Sequence, residues 1–147
     1  MKPFIYDMTC IDHMTQNDVC LEDFLPPIKT SFALGIKLYV KYGDENDTVS
    51  IFYIDVITPQ SSEFFFNNYF NTFPHNLSFV KSLIICNGEY DGKKIKEAIY
   101  SYVYSSRMKT IDETLVMLGR YLEDEETGTF GSKDYYLYLI NSLRKNK

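Results

Sequence analysis

Apolar and polar positions alternate most cleanly around residues 31 to 42. Phe32, Leu34, Ile36, Leu38, Val40 and Tyr42 take every second place, and Ser31, Ala33, Gly35, Lys37, Tyr39 and Lys41 take the others. A period of two sends successive side chains to opposite sides of a strand, so one side is core and the other is partly wet. Phe4, Tyr6, Met8 and Cys10 alternate with Ile5, Asp7 and Thr9, which predicts an earlier strand with the first four on one side. Val49 to Ile57 is apolar on both sides through Ile51 to Ile54, the pattern of a central strand covered by helices. The polar stretch Gly43 to Thr48 makes it a hairpin partner of the strand before it. Leu83-Ile84-Ile85-Cys86, closed by Asn87-Gly88, predicts a short interior strand. Ile11 to Lys29 has no sustained period and contains Pro26-Pro27, so it reads as a loop.

Helical spacing appears in four places. Ser61 or Ser62 caps a short helix with Phe66, Tyr69, Phe70 and Phe73 on one side, stopped by Pro74. Asp91 stands as an N-cap before Ile95, Ala98, Ile99, Tyr102 and Val103. Thr110 and Glu113 have the spacing of a capping box, followed by the stripe Ile111, Leu115, Leu118 and Leu122 and by an acidic run, Glu123 to Glu126, at the helix end. Ser132 begins a last helix with Tyr136, Leu139, Ile140 and Leu143 on one face, a C-terminal extension over 132–145. The order β, β, β, α, β, α, α, α predicts an α+β fold: a mostly antiparallel sheet of about four strands with its helices packed mainly on one face.

A chain of 147 residues is expected to form one domain, residues 1–147, with a core of its own. Thirteen Tyr and eleven Phe without Trp add aromatic bulk, and tyrosine suits interfaces because a rigid apolar ring ends in a polar tip. The same excess follows from AT-rich coding. A net charge of −5 argues against nucleic acid as a partner, since phosphate binding needs concentrated Lys and Arg. No apolar segment of membrane-spanning length occurs, and no signal-peptide core follows Met1-Lys2-Pro3, so the expected compartment is cytoplasmic, with no membrane partner. Cys10, Cys20 and Cys86 are an odd number of cysteines and read as thiols.

Catalytic signals are thin. Cys10-x-x-His13 with Cys20 nearby offers zinc ligands, but no second pair completes a set of four, and Cys10 continues the alternation of a strand. Carboxylates of Glu123 to Glu126 suit a solvated helix end better than an acid/base pair, and the glycines form no phosphate-binding loop. No cofactor, metal or catalytic residue is assigned. The acidic segments have a bland reading, solubility and complement to helix dipoles, and a functional one, contact with a basic protein surface.

From Ser82-Leu-Ile-Ile-Cys-Asn-Gly-Glu-Tyr-Asp91 through Ile95, Ile99 and Tyr102-Val103 to Leu118-x-Arg120-Tyr121-x-Glu123, the chain resembles immunity protein family eight of bacterial polymorphic toxin systems. The hairpin strands and Thr58-Pro59 extend the resemblance to roughly residues 30 to 126. Family tryptophans after the Thr-Pro and in the acidic close have no counterpart here, and the last helix runs past the family's usual end. The resemblance implies a cytosolic antidote, not an enzyme, that masks a cognate toxin of the contact-dependent inhibition type, often a nuclease with a basic cleft. On charge, the toxin-binding residues expected are Glu123, Asp124, Glu125 and Glu126, then Asp44, Glu45 and Asp47, with Tyr121, Tyr135 and Tyr136 as anchors. The competing class is a small enzyme or ligand-binding domain with a site assembled from His13, His75, Cys86 and Asp91.

Overall fold

The computed structural model describes residues 2–69 and 82–125. Six strands form one sheet among them: β1 (Phe4–Asp12), β2 (Asn17–Val19), β3 (Ala33–Lys41), β4 (Val49–Ile57), β5 (Leu83–Ile85) and β6 (Glu123–Asp124). The helices are α1 (Ser62–Tyr69), α2 (Gly92–Ser105) and α3 (Ile111–Leu118), and the fold is α+β. The strand order is β2-β1-β3-β4-β5, with β6 also on β4. All neighbours are antiparallel except β5, which runs parallel to β4. The expected helix from Ser132 lies outside the described residues, as do Phe70 and Phe73.

The β3–β4 hairpin follows the alternation. Leu34, Ile36 and Leu38 stand opposite Val56, Ile54 and Phe52, all buried on one face. Ile95, Ile99 and Val103 of α2 close over that face, together with Leu118 of α3 and Leu122 beyond it. Full burial of one such side chain contributes about 1.5–3 kcal/mol, so this layer is the main source of stability. Asp91 caps α2 by accepting the Lys94 N–H at 3.2 Å. Thr110 caps α3 through the Glu113 N–H at 3.2 Å. Gly92 stands where a Cβ would run into the Leu21 carbonyl, and the Tyr90 hydroxyl donates to that same carbonyl, so the loop before β3 is held against the start of α2. Ala98, expected inside, is exposed.

Several expectations are corrected. β1 carries a bulge: Ile5 pairs with Val40 and Asp7 with Tyr39, leaving Tyr6 without an opposite residue. The extra residue moves the Tyr6 ring to the other side of the sheet from Met8 and Cys10, where it meets Tyr39 at 5.9 Å. β2 was not foreseen. It forms because Asp12 accepts the Met14 N–H and the Thr15 hydroxyl and folds the chain back, with Gln16 at φ 63. Among the described residues the strand from Leu83 is an edge, with Ile85 exposed, rather than an interior strand. β4 is not covered on both sides: Ile51, Tyr53 and Asp55 are only half-buried. The acidic run is not a helix end. α3 stops at Leu118, Gly119 opens a turn, and Glu123–Asp124 pairs with Tyr53 and Phe52, the part of β4's edge that the short β5 leaves uncovered.

Candidate functional site

Among the described residues, only α1 packs on the second face of the sheet, whose side chains are mostly half-buried. The register sets its side chains in rows that cross the strands. Asp18, Ile11, Gly35, Asp55 and Leu83 make one row. Thr9, Lys37, Tyr53 and Glu123 make the next. Asp7, Tyr39 and Ile51 make a third. Among the described helices α1 packs on this side, at one end, where Phe65 meets Ala33 and Ile57.

Beside α1, His13 lies across Gly35. A Cβ at position 35 would come within 2.7 Å of the imidazole ring, so glycine is what lets the ring settle on the strand. His13 is held from both ends. Its backbone N–H donates to the Ala33 carbonyl at 2.9 Å, and its Nε2 is 2.7 Å from Asp55 Oδ1. The Phe65 ring lies 5.6 Å away. A groove of about 540 Å³ begins at this pair and runs past Thr9, Lys37 and Tyr53 to Glu123. It holds cationic and anionic groups side by side on an apolar floor, which suits a polar surface better than a nonpolar ligand.

Further along, lysines and tyrosines interleave. Lys37 Nζ sits 5.2 Å from the Tyr39 ring and 5.6 Å from the Tyr53 ring. Contact with the Tyr39 side chain raises the Lys37 ammonium above its ordinary value. Lys41 Nζ lies 4.7 Å from the Tyr6 ring and 3.4 Å from Asp47. Rings and cations held this way are pre-ordered, which lowers the entropy lost when a partner docks.

The acidic residues expected at the site fall into different roles. Glu123 stands on the open face opposite Tyr53, whereas Asp124 is opposite Phe52 on the core side. Glu125 is exposed and donates its N–H to the Ile51 carbonyl at 3.0 Å. Asp44 is a structural residue: it accepts the Thr48 N–H at 2.9 Å and the Thr48 hydroxyl at 2.5 Å, and that hydroxyl holds its carboxyl below the usual carboxylate range. Glu45 and Asp47 are exposed in the same loop, Asp47 at φ 50. The loop enters β4 at Val49, whereas Glu123 and Asp124 pair at its middle, with Tyr53 and Phe52. Tyr121 is 64% exposed, its ring 5.6 Å from that of Tyr102. Glu126, Tyr135 and Tyr136 lie outside the described residues, as does His75.

The dispersed site drawn from His13, Cys86 and Asp91 is not assembled as expected. Asp91 is the α2 cap, Cys86 packs against the core, and His13 meets Asp55, which sequence reasoning missed. Cys10 and His13 are on opposite sides of the sheet. Burial raises the Cys10 thiol to about 12. No group of three or more His, Cys, Asp and Glu suited to a metal ion occurs among the described residues. Nor is any described helix long and apolar enough to cross a membrane. Comparison with family models, with curated proteins and with solved structures finds no match to this chain.

Proposed function

We propose that this protein is an immunity protein, which binds a cognate bacterial toxin in the cytoplasm and neutralises it by stoichiometric masking of the toxin's active site. The observation that carries this reading is the open sheet face, with ordered tyrosines and lysines beside Glu123 on a rigid strand scaffold. Aromatic anchors on a fixed surface are what protein recognition uses for affinity, and charges at their rim set partner and rate. The resemblance of Ser82 to Glu123 to immunity family eight supports the same reading. A nuclease-type toxin domain with a basic cleft fits the net charge of −5.

Co-expression with the toxin encoded beside it tests the proposal. The expected result is a one-to-one complex and loss of toxicity, with the joint variant Tyr39→Ala, Tyr53→Ala weakening the complex while the protein stays folded. A folded chain that neither binds nor protects would overturn it.

A second reading has one specific support, the His13–Asp55 pair seated over Gly35 in the groove. An imidazole oriented by a carboxylate can act as a general base or hold a polar ligand. Turnover or ligand binding abolished by His13→Ala would favour it. Toxin protection unchanged by His13→Ala would place the pair in the scaffold.

A further inference from the structure

The two edges of the sheet are finished differently. The outer edge of β4 is paired with β6 at Phe52 and Tyr53 and with β5 from Asp55 to Ile57. The outer edge of β1 pairs with β2 only from Cys10 to Asp12. From Phe4 to Thr9 no further strand lies beside it among the described residues. Alternate backbone groups along a strand edge face outward as unpaired donors and acceptors. At Met8 the N–H does so: it donates to the Asp7 Oδ1 at 2.8 Å, and that carboxylate stands where a neighbouring strand's carbonyl would.

A groove of about 790 Å³ follows this edge, walled by Tyr6, Asp7, Cys20 and Glu22 and by Lys96 and Tyr100 of α2. A second groove of about 380 Å³ continues it, between Phe4 and the α2 residues Tyr100 and Tyr104. Phe4, Tyr6, Tyr100 and Tyr104 are between 40% and 58% exposed there. Glu22 is paired with Lys96 at 2.5 Å, so Asp7 and Asp18 give the first groove a net negative charge. Unpaired strand backbone, an aromatic wall and an acidic rim therefore coincide.

We infer that the Phe4–Thr9 edge binds an extended, basic segment of another protein as an added strand. The segment's backbone pairs with β1 in line with β2, its cationic side chains meet Asp7 and Asp18, and its apolar ones lie against Phe4, Tyr100 and Tyr104. This rests on the reading of the chain as a protein-binding module and names a surface and partner chemistry for it. The bulge at Tyr6 and the Asp7 carboxylate guard the edge against pairing with a second copy, and an incoming segment displaces the carboxylate from the Met8 N–H.

The test uses the whole protein and a fluorescent, end-capped peptide of alternating lysine and valine, followed by anisotropy. The lysine peptide binds, its glutamate-valine counterpart does not, and N-methylation along one edge of the lysine peptide abolishes binding. Asp7→Asn with Asp18→Asn keeps the acceptor for the Met8 N–H while removing the charge, and weakens binding about tenfold. Alkylation of the exposed Cys20 thiol slows when the peptide is bound, while alkylation of Cys86 does not. Equal binding of the glutamate peptide, indifference to N-methylation, an unprotected Cys20, or a dimer of this chain that the peptide dissolves would each overturn the inference. A chain that protects against its toxin yet ignores the peptide loses only this edge. One that binds the peptide yet protects against nothing keeps the edge and loses the immunity reading.

Discussion

β3 carries one backbone between two unlike surfaces. Leu34, Ile36, Leu38 and Val40 are at most 2% exposed beneath the helices, while Lys37, Tyr39 and Lys41 on the other side remain half-buried, and Gly35 is overlain by His13. On the first face each side chain is fixed by close packing, and any change of volume is felt by its neighbours. On the second the strand supplies rigidity without demanding volume, so polar and aromatic groups can be placed for contact. The separation puts stability on the packed face and leaves the other face free to vary, and it can be broken by substitution.

The largest effect is expected at Leu38→Ala, which empties a fully buried site and costs about 2–5 kcal/mol in denaturant unfolding. A comparable cost for Tyr39→Ala, one residue away, would break the comparison. Next is Gly35→Ala, which sets a Cβ against the His13 ring and costs about 1–3 kcal/mol. Adding His13→Ala recovers part of that loss if the ring is what the methyl strikes, and a double-mutant cycle measures the recovery. Alkaline pH tests the packed face. Burial raises the Cys10 thiol from 9.0 to about 12 and the Tyr42 phenol from 10.0 to about 12. Between these limits the unfolded chain releases protons that the folded one retains, so stability is complete below about pH 9 and falls as pH rises toward 12. Cys10→Ala flattens part of that fall. Smallest is Lys41→Ala, which removes an exposed pair with Asp47 and changes stability by less than about 1 kcal/mol.

The candidate site was only half legible. Wetness on the odd positions of β3 announced an open face, and Lys37, Tyr39 and Lys41 were already visible on it. Their neighbours were not, because Tyr53 and Glu123 come from other strands and join the row only through register. The acidic run drew attention by its charge. Pairing with β4 then gave its members different sides, so Glu123 belongs to the open face and Asp124 does not.

Local chemistry was enough for the elements whose causes are local. The alternation fixed the sides of β3, the bounds of β4 followed from a polar loop before it and Thr58-Pro59 after it, and Asp91 and Thr110 marked the starts of α2 and α3. What only tertiary structure decided depends on partners distant in the chain. The bulge at Tyr6 is defined against β3, the β6 pairing depends on how little of β4 the short β5 covers, and His13 meets Asp55 across 42 residues. Side-chain period is a property of a segment, whereas register belongs to a pair of segments, and a shift of one residue sends every side chain to the opposite face.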